Sequence, residues 1–407
     1  MKTKAQIIFS LWLLIFINYM DRSAISFAGP AIMSDLSMNA AAFGIVLSSF
    51  GLGYALALVP GGIAADRWGA RWVLIITPLL WGTFTGLTGF VTAVSGFIVM
   101  RLGLGISEGL FSPSIYKSIG DHFEPKQRAG AIAICISSLM LGPAVAGPTV
   151  ALLIDAVGWQ GMFMIMAVPA VIASAVAYLM VPKRKEPHKT KESSDIEDDA
   201  VPMSKVIRRP SLWVLSLSNF TTDIAQWGFL GWMPTYLFLE REINMMGTGF
   251  VGSVPYVFGF VGLLLGGWLG STFFHRYRIQ MVTVCYVAAG LSLGLAYVAE
   301  DLPVAVIGLS ATAFFLFGAG ASKGSIAIDL APANVRGTYI GIYNVAGQIG
   351  ATIAPATIGF LVHATGKFAL GFGFMIFSLV VTAICMIALM PLMPRSSPPD
   401  QASAQSA

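Results

Sequence analysis

The stretch from Gly62 to Arg71, which reads GIAADRWGAR, separates two long apolar runs. Its glycines would let two helices approach closely, because they carry no side chain at the contact. Asp66 could cap the next helix or pair with basic groups across an interface, and Arg67 would anchor the turn at a membrane surface. An ordinary polar turn is the alternative interpretation. Between runs of this length, the stretch predicts a hairpin of two membrane helices.

The same alternation of apolar runs and short polar turns continues along the whole chain. Of its 407 residues, 56% are hydrophobic and only 11% are charged, whereas about 25% are charged in a soluble domain. A helix needs about 20 apolar residues to span a bilayer, and a β-barrel would instead show weak alternation over segments of about ten residues. We therefore expect an all-α polytopic membrane protein with twelve transmembrane helices, near residues 7–28, 41–64, 73–93, 95–119, 129–154, 161–182, 211–239, 248–270, 279–299, 303–328, 336–362 and 367–392.

The basic residues indicate how the chain is oriented. With the N-terminus in the cytoplasm, the outer turns receive only Arg241 and Lys367, and most other basic turn residues lie on the cytoplasmic side. This is the positive-inside pattern. It predicts a multi-pass protein of the inner (plasma) membrane with both termini cytoplasmic. The net charge of +4 is thus explained by membrane topology, and we expect no nucleic-acid partner.

The chain divides into two halves. A polar, mixed-charge segment at residues 183–210 predicts a cytoplasmic linker between residues 1–182 and 211–394, each with six apolar runs, and residues 395–407 form a cytoplasmic tail. The turn Pro125–Gly130 follows the fourth run, and Pro332–Gly337 echoes it after the tenth. Two such halves are typical of a duplicated transporter.

Charged residues inside the first and fourth runs are the main functional signal. Asp21 and Arg22 adjoin within the first run, although a charge at membrane depth is unfavourable by roughly 2.5–3.5 kcal/mol. Arg101 and Glu108 are seven residues apart in the fourth run, and therefore on nearly the same helix face, roughly 10 Å apart along the axis. A carboxyl group at such depth can take up or release a proton as another charge approaches. The fork of Arg22 could bind Asp21, Glu108 or a substrate, and structural salt bridges are the alternative for the fourth run.

The second half contributes further polar groups. Its seventh run carries Asp223 on one helix face with two amides, and Gln226 is the candidate substrate ligand among these residues. Asp223 could face a cavity or lie solvated near the cytoplasmic rim. Lys323 in the tenth run could face the cavity, pair with Asp223 or Asp329, or reach toward the interface. The eleventh run carries a polar stripe at every fourth residue: Asn344, Gln348 and Thr352.

Together these motifs resemble a known family. The stretch from Gly62 to Arg71 resembles the signature loop of the major facilitator superfamily, G-x-x-x-D-R-x-G-R-R, and departs from it in one basic position. A degraded copy without the acidic residue follows the eighth run, from Gly266 to Arg278. The Tyr-x-Asp-Arg of the first run and the Arg-x6-Glu of the fourth resemble the anion:cation symporter branch. This resemblance implies two pseudo-symmetric six-helix bundles and transport of an organic anion with protons.

The resemblance also implies roles for individual residues. Asp21 and Glu108 would be the proton-coupling pair, and Arg22 would bind the substrate carboxylate. Substrate-binding candidates from the resemblance and from the polar stripes are Tyr19, Tyr54, Gln226, Lys323, Asn344 and Gln348. Gating or coupling would involve Arg101, Asp66 and Arg67.

The sequence therefore predicts a monomeric, lipid-embedded secondary transporter that imports a small organic anion with protons by alternating access. A sugar acid such as a hexuronate, aldonate or aldarate is the expected substrate. The alternatives are an organic anion/phosphate exchanger without proton coupling and a transporter-like membrane sensor. No nucleotide-binding loop or metal-ligand spacing is present in the sequence, so we expect neither an enzyme nor a cofactor.

Overall fold

The computed structural model describes residues 2–182, 207–332 and 335–393, and it consists of long α-helices joined by short turns. The first four helices are α1 (Lys2–Asp35), α2 (Ala40–Trp68), α3 (Ala70–Thr88) and α4 (Val94–His122). The predicted linker and C-terminal tail lie almost wholly outside the described residues.

The next segment, Pro125–Met180, contains two helices that meet at Gly158. Gly158 has φ 73° and ψ 171°, a backbone conformation that residues with a Cβ rarely adopt. We number the two helices α5 (125–157) and α6 (159–180). They correspond to the fifth and sixth runs of the sequence.

The second half contains six further helices within its described residues. Their bounds are α7 Pro210–Leu239, α8 Met245–Ser271, α9 Arg278–Val298, α10 Leu302–Leu330, α11 Arg336–Thr365 and α12 Ala369–Leu389.

Within the described ranges, ten helices are long and apolar enough to cross a membrane, and one of them, Gly130–Met180, includes both α5 and α6. The α7 helix is not among the ten, because Asn219, Asp223 and Gln226 lower its mean hydropathy. Its length of 30 residues nevertheless exceeds the roughly 20 needed to span a bilayer. The prediction of an all-α polytopic membrane protein is confirmed.

The two halves repeat the same packing. In the first half α1 packs on α5, α2 on α4, and α3 on α4 and α6. In the second half α7 packs on α11, α8 on α10, and α9 on α10 and α12. Even the caps correspond: Asn39 accepts a hydrogen bond from Ala42 N at the start of α2, and Asn244 accepts one from Gly247 N at the start of α8. The halves are therefore pseudo-symmetric six-helix bundles.

The halves meet along α2–α11, α5–α8 and α1–α7. Small residues allow the closest approaches: a Cβ on Gly44 would lie 2.6 Å from Pro355 O, and one on Gly249 would lie 2.6 Å from Gly147 O. These contacts lie in the parts of the helices nearest the turns at residues 36–39 and 240–244. We call this the closed end of the molecule. The opposite end carries the first residues of α1, the last residues of α6 and the first residues of α7.

Candidate functional site

A buried ion pair between α1 and α4 lies at the centre of the molecule. Arg22 donates to Glu108 Oε2 from both Nε, at 3.0 Å, and Nη2, at 2.6 Å. The two side chains are only 8% and 0% exposed. Of the two carboxylates that the sequence left open for Arg22, Asp21 and Glu108, Arg22 pairs with Glu108. Charge-assisted hydrogen bonds of this kind are among the strongest in proteins.

Aromatic rings surround the guanidinium of Arg22. Its Cζ atom lies 4.7 Å from the ring centroid of Tyr19, 4.6 Å from that of Phe50 and 4.9 Å from that of Tyr54. A fourth ring, Trp227 of α7, lies 5.3 Å away. Rings at these distances attract a cation, and the attraction is greatest where water is excluded. Trp227 of the second half therefore contacts Arg22 of the first half through its aromatic ring.

Arg101 is a second buried cation beside the same ring. Its Cζ lies 5.0 Å from the centroid of Phe50, and its side chain is 5% exposed. Its Nε has no hydrogen-bond partner, and no ion pair of Arg101 is found in the part of the chain that the structure describes. Both guanidiniums therefore lie against the ring of Phe50. In the described residues, only Arg22 of the two forms an ion pair with a carboxylate.

Asp21 faces away from its neighbour in sequence. Thr85 of α3 donates a hydrogen bond of 2.5 Å to Asp21 Oδ2. The other oxygen, Asp21 Oδ1, is buried with no hydrogen-bond partner in the described residues, and the same holds for Glu108 Oε1. Each carboxyl group therefore has one satisfied and one unsatisfied oxygen, which is an unfavourable arrangement for a buried charge.

Two small cavities adjoin the ion pair, and both are lined from the two halves. One, of about 110 Å³, is lined by Tyr19, Arg22, Tyr54, Trp227 and Gln348, among others. The other, of about 50 Å³, is lined by Arg22 and Arg101 together with Ser23, Ser26 and Trp227, among others. Four of the substrate-binding candidates from the sequence are thus brought together: Tyr19, Arg22, Tyr54 and Gln348.

A third cavity, of about 150 Å³, extends from this centre into the first half. It is lined by Asn18, Tyr19, Tyr54 and Ser112, among others. Tyr54 and Ser112 are hydrogen-bonded through their hydroxyls at 2.7 Å. Polar groups therefore continue from the ion pair along α1, α2 and α4.

Three predicted ligands from the second half lie apart from these cavities. Gln226 is half-buried on α7, and the next residue, Trp227, lines the cavity instead. Asn344 is exposed on α11, one helical turn from Gln348. Lys323 is 2% exposed and donates to Ser218 O and Thr222 Oγ1 of α7, at 3.1 and 2.6 Å.

Ion pairs join the helices at the end opposite the closed end. Asp66, in the last turn of α2, pairs with Lys117 of α4, whereas Arg67 is exposed. In the second half, Arg278 pairs with Asp329 of α10 at 3.2 Å. The degraded copy thus also forms an ion pair at this end, although the carboxylate comes from another helix, α10. No group of three or more His, Cys, Asp or Glu side chains that could hold a metal ion is found within residues 2–182, 207–332 and 335–393.

The model of the Major Facilitator Superfamily matches residues 11–355, so the chain belongs to this superfamily of transporters. The predictions of the fold and of a transporter rather than an enzyme are confirmed, and the chain is a multi-pass membrane protein.

Individual transporters are 28–29% identical to this chain, and the matches cover most of its length. The chain is 29% identical over 381 residues to the "Hexuronate transporter" of Bacillus subtilis, with 90% of each chain covered. It is 28% identical over 420 residues to the "Probable sulfoacetate transporter SauU" of Cupriavidus necator, covering 98% and 97%. It is also 28% identical over 373 residues to the "Probable L-galactonate transporter" of Escherichia coli, covering 87% and 82%.

Solved structures agree on the fold. The crystal structure of a bacterial homolog to the human lysosomal transporter Spinster, in an inward-facing and occupied conformation, has a TM-score of 0.79. Its sequence is 17% identical, and the match covers 98% of this chain and 99% of that chain. At this identity the likeness concerns the fold alone.

Proposed function

We propose that this protein imports a small sugar acid together with protons by alternating access. The observation that carries the proposal is the Arg22–Glu108 ion pair, buried beside cavities that both halves line. The names of the relatives support the substrate class, since they include hexuronate and L-galactonate transporters. Hexuronate, aldonate and aldarate are the candidates.

Competition for Arg22 would couple the anion to the proton. While Glu108 is ionised, its carboxylate occupies the two donors of Arg22 that a substrate carboxylate would need. Protonation of Glu108 weakens this pair and frees the guanidinium for the substrate. Substrate binding and proton binding then favour each other, as thermodynamic linkage requires.

Other residues would complete the substrate site. Arg101 adds a cation without a carboxylate partner in the described part of the chain, beyond the gating or coupling role that its sequence suggested. The hydroxyls of Tyr19, Tyr54 and Ser23, and the amide of Gln348, would bind substrate hydroxyls. Trp227 offers an apolar face for the sugar carbons.

Asp21 would be the second proton carrier. Asp21 Oδ1 and Glu108 Oε1 are both buried without a hydrogen-bond partner in the described residues. A proton on either oxygen would remove an unfavourable buried charge. With both carboxyl groups neutral, no carboxylate repels an anion bound to Arg22. Neutralising these buried carboxylates lowers the barrier to moving the halves past each other.

The closed end would face the outside of the cell. With both termini cytoplasmic, the contacts between Gly44 and Pro355 and between Gly147 and Gly249 seal the outer side, and this is an inward-facing conformation. Asp66 and Arg67, near the opposite end, would form and break contacts as that end opens and closes. We further propose location in the bacterial inner membrane, a division into bundles 1–182 and 211–394 joined by a linker at 183–210, a cytoplasmic tail at 395–407, and function as a monomer.

Exchange without proton coupling is a second candidate, favoured by the unpaired Arg101 next to Arg22, because two cations suit an organic phosphate. Uptake into liposomes distinguishes the two. Purified protein is reconstituted, and accumulation of D-galacturonate, D-galactonate and galactarate is followed with and without an acid-outside pH gradient. Symport predicts accumulation only with the gradient, whereas exchange predicts uptake only into liposomes preloaded with an anion.

Glu108→Gln is the matched variant. Since the amide cannot bind the coupling proton, it should retain exchange of labelled for unlabelled substrate but lose accumulation driven by the gradient. Normal accumulation by this variant would contradict the coupling mechanism.

A further inference from the structure

A second buried acid–base pair lies inside the C-terminal half, where the mechanism above does not use it. Lys323 of α10 and Asp223 of α7 interact electrostatically, yet no ion pair within 4.0 Å joins them in the described residues. Lys323 is 2% exposed. A buried amine without a carboxylate in contact is unusual, because the charged form is strongly disfavoured away from water.

The hydrogen bonds of Lys323 suit either protonation state. Its Nζ donates to Ser218 O and to Thr222 Oγ1, which are both uncharged acceptors. A neutral amine has two N–H groups to donate, so losing the ammonium proton would break neither bond. The rings of Tyr286 and Tyr343 lie 5.5 and 5.9 Å from Nζ and favour the cation when it forms.

Asp223 connects this pair with the transport cavity. It is half-buried and lies one helical turn before Trp227, on the same face of α7. Trp227 lines the cavities and covers Arg22. Beside Lys323, Ser218 Oγ is buried without a hydrogen-bond partner in the described part of the chain, so the cluster has a free polar group.

We propose that Asp223 and Lys323 form a second proton-binding site, in the C-terminal half, which gains one proton when the anion binds and releases it with the anion. The inference rests on the proposed proton-coupled function. In the empty state the pair shares one proton and has no net charge. With a second proton it becomes a carboxylic acid beside an ammonium, with a charge of +1, which an anion one helical turn away stabilises.

The neighbouring titratable groups do not supply this proton equally well. Those facing Lys323 from the packed helices are Asp223 of α7, Tyr286 of α9, Tyr343 of α11 and Cys385 of α12. Phenols and thiols ionise only well above neutral pH in apolar surroundings. The carboxyl and the amine are thus the two groups of this cluster that can share and exchange a proton.

The test measures protons taken up per substrate bound. Purified protein in weakly buffered detergent solution receives whichever of D-galacturonate, D-galactonate and galactarate stabilises it most against heat. A pH indicator then reports proton uptake at saturation. The double variant Asp223→Asn/Lys323→Met removes both titratable groups without changing the net charge, and its uptake should be one proton lower per substrate than that of the unmodified protein.

Two further variants sharpen the result. Lys323→Arg keeps a cation that cannot lose its proton, so Asp223 can still gain the second proton and uptake should match that of the unmodified protein. Arg278→Gln/Asp329→Asn removes a different ion pair of the same half and should leave proton uptake unchanged. Equal uptake by the unmodified protein and the Asp223/Lys323 double variant would overturn the second site alone. No proton uptake by the unmodified protein would instead overturn the proposed symport.

Discussion

Trp227 of the C-terminal half lies 5.3 Å from the guanidinium of Arg22 in the N-terminal half. The two residues are more than 200 positions apart in the sequence and belong to bundles that contact each other mainly at the closed end. A ligand bound to Arg22 on the side of Trp227 would therefore contact both halves. A ligand held by both halves favours the conformation in which both are close.

Replacement of Trp227 by Ala should weaken substrate binding. The loss of one desolvated cation–π contact and of the apolar face predicts an increase in KM of about tenfold, given roughly 1–2 kcal/mol for such a contact. Uptake kinetics in liposomes measure it. Trp213→Phe, at an exposed tryptophan of the same helix, is the matched control, and equal KM values for the two variants would remove Trp227 from the site.

Arg101→Gln should reduce anion affinity more than Arg101→Lys. Charge-assisted hydrogen bonds contribute about 1.5–3 kcal/mol. We therefore expect the dissociation constant of the sugar acid, measured by calorimetry, to be roughly 10- to 100-fold higher. Arg276→Gln removes an exposed arginine between α8 and α9 and should not alter binding. If Arg101→Gln binds as tightly as this control, Arg101 has no part in anion recognition.

Thr85→Val should shift the pH dependence of uptake. Thr85 donates to Asp21 Oδ2, and the valine, of similar shape, cannot. Without the donor, the charged form of Asp21 loses a stabilising hydrogen bond, so the pH dependence of uptake should differ from that of the unmodified protein.

Thr83→Val is the control for that change, because Thr83 is exposed on the same helix and donates to the backbone of Leu79, one turn earlier. An unchanged profile for Thr85→Val would show that Asp21 does not titrate during transport.

Gly44→Val should prevent the two halves from closing at the closed end. A Cβ there would lie 2.6 Å from Pro355 O, so the helices α2 and α11 would have to separate. We expect distances between spin labels at the closed end to increase and transport to fall severalfold. Gly373→Val on α12, where no heavy atom lies within 4 Å of the added Cβ, should leave those distances as they are.

The helices and the centre of the site could be predicted from the sequence, because both depend on local patterns. Long apolar runs specify the spans, and charges such as Arg22 and Glu108 stand out within them. The seven-residue spacing of Arg101 and Glu108 correctly indicated a shared face. The tight joint at Gly158 left the fifth and sixth spans identifiable as separate runs.

Other features could not be predicted, because they depend on how each helix is rotated about its axis. A partner for Lys323 on α7 was one of several alternatives, and no pattern along α10 decided among them or indicated its hydrogen bonds to Ser218 and Thr222. Trp227 could have been found one turn after Asp223, but an aromatic residue in a membrane helix is an ordinary packing residue. The bond from Thr85 to Asp21 and the pairing of Asp329 with Arg278 have no sequence signal at all.

The junction between α5 and α6 has a mechanical consequence. A single residue, Gly158, joins the two helices, so no slack separates them. The α5 helix packs on α8 across the interface, and the chain continues into α6, which packs on α3. We therefore expect a tilt of α5 against α8 to be transmitted through α6 to α3, so that the N-terminal bundle moves as one rigid body.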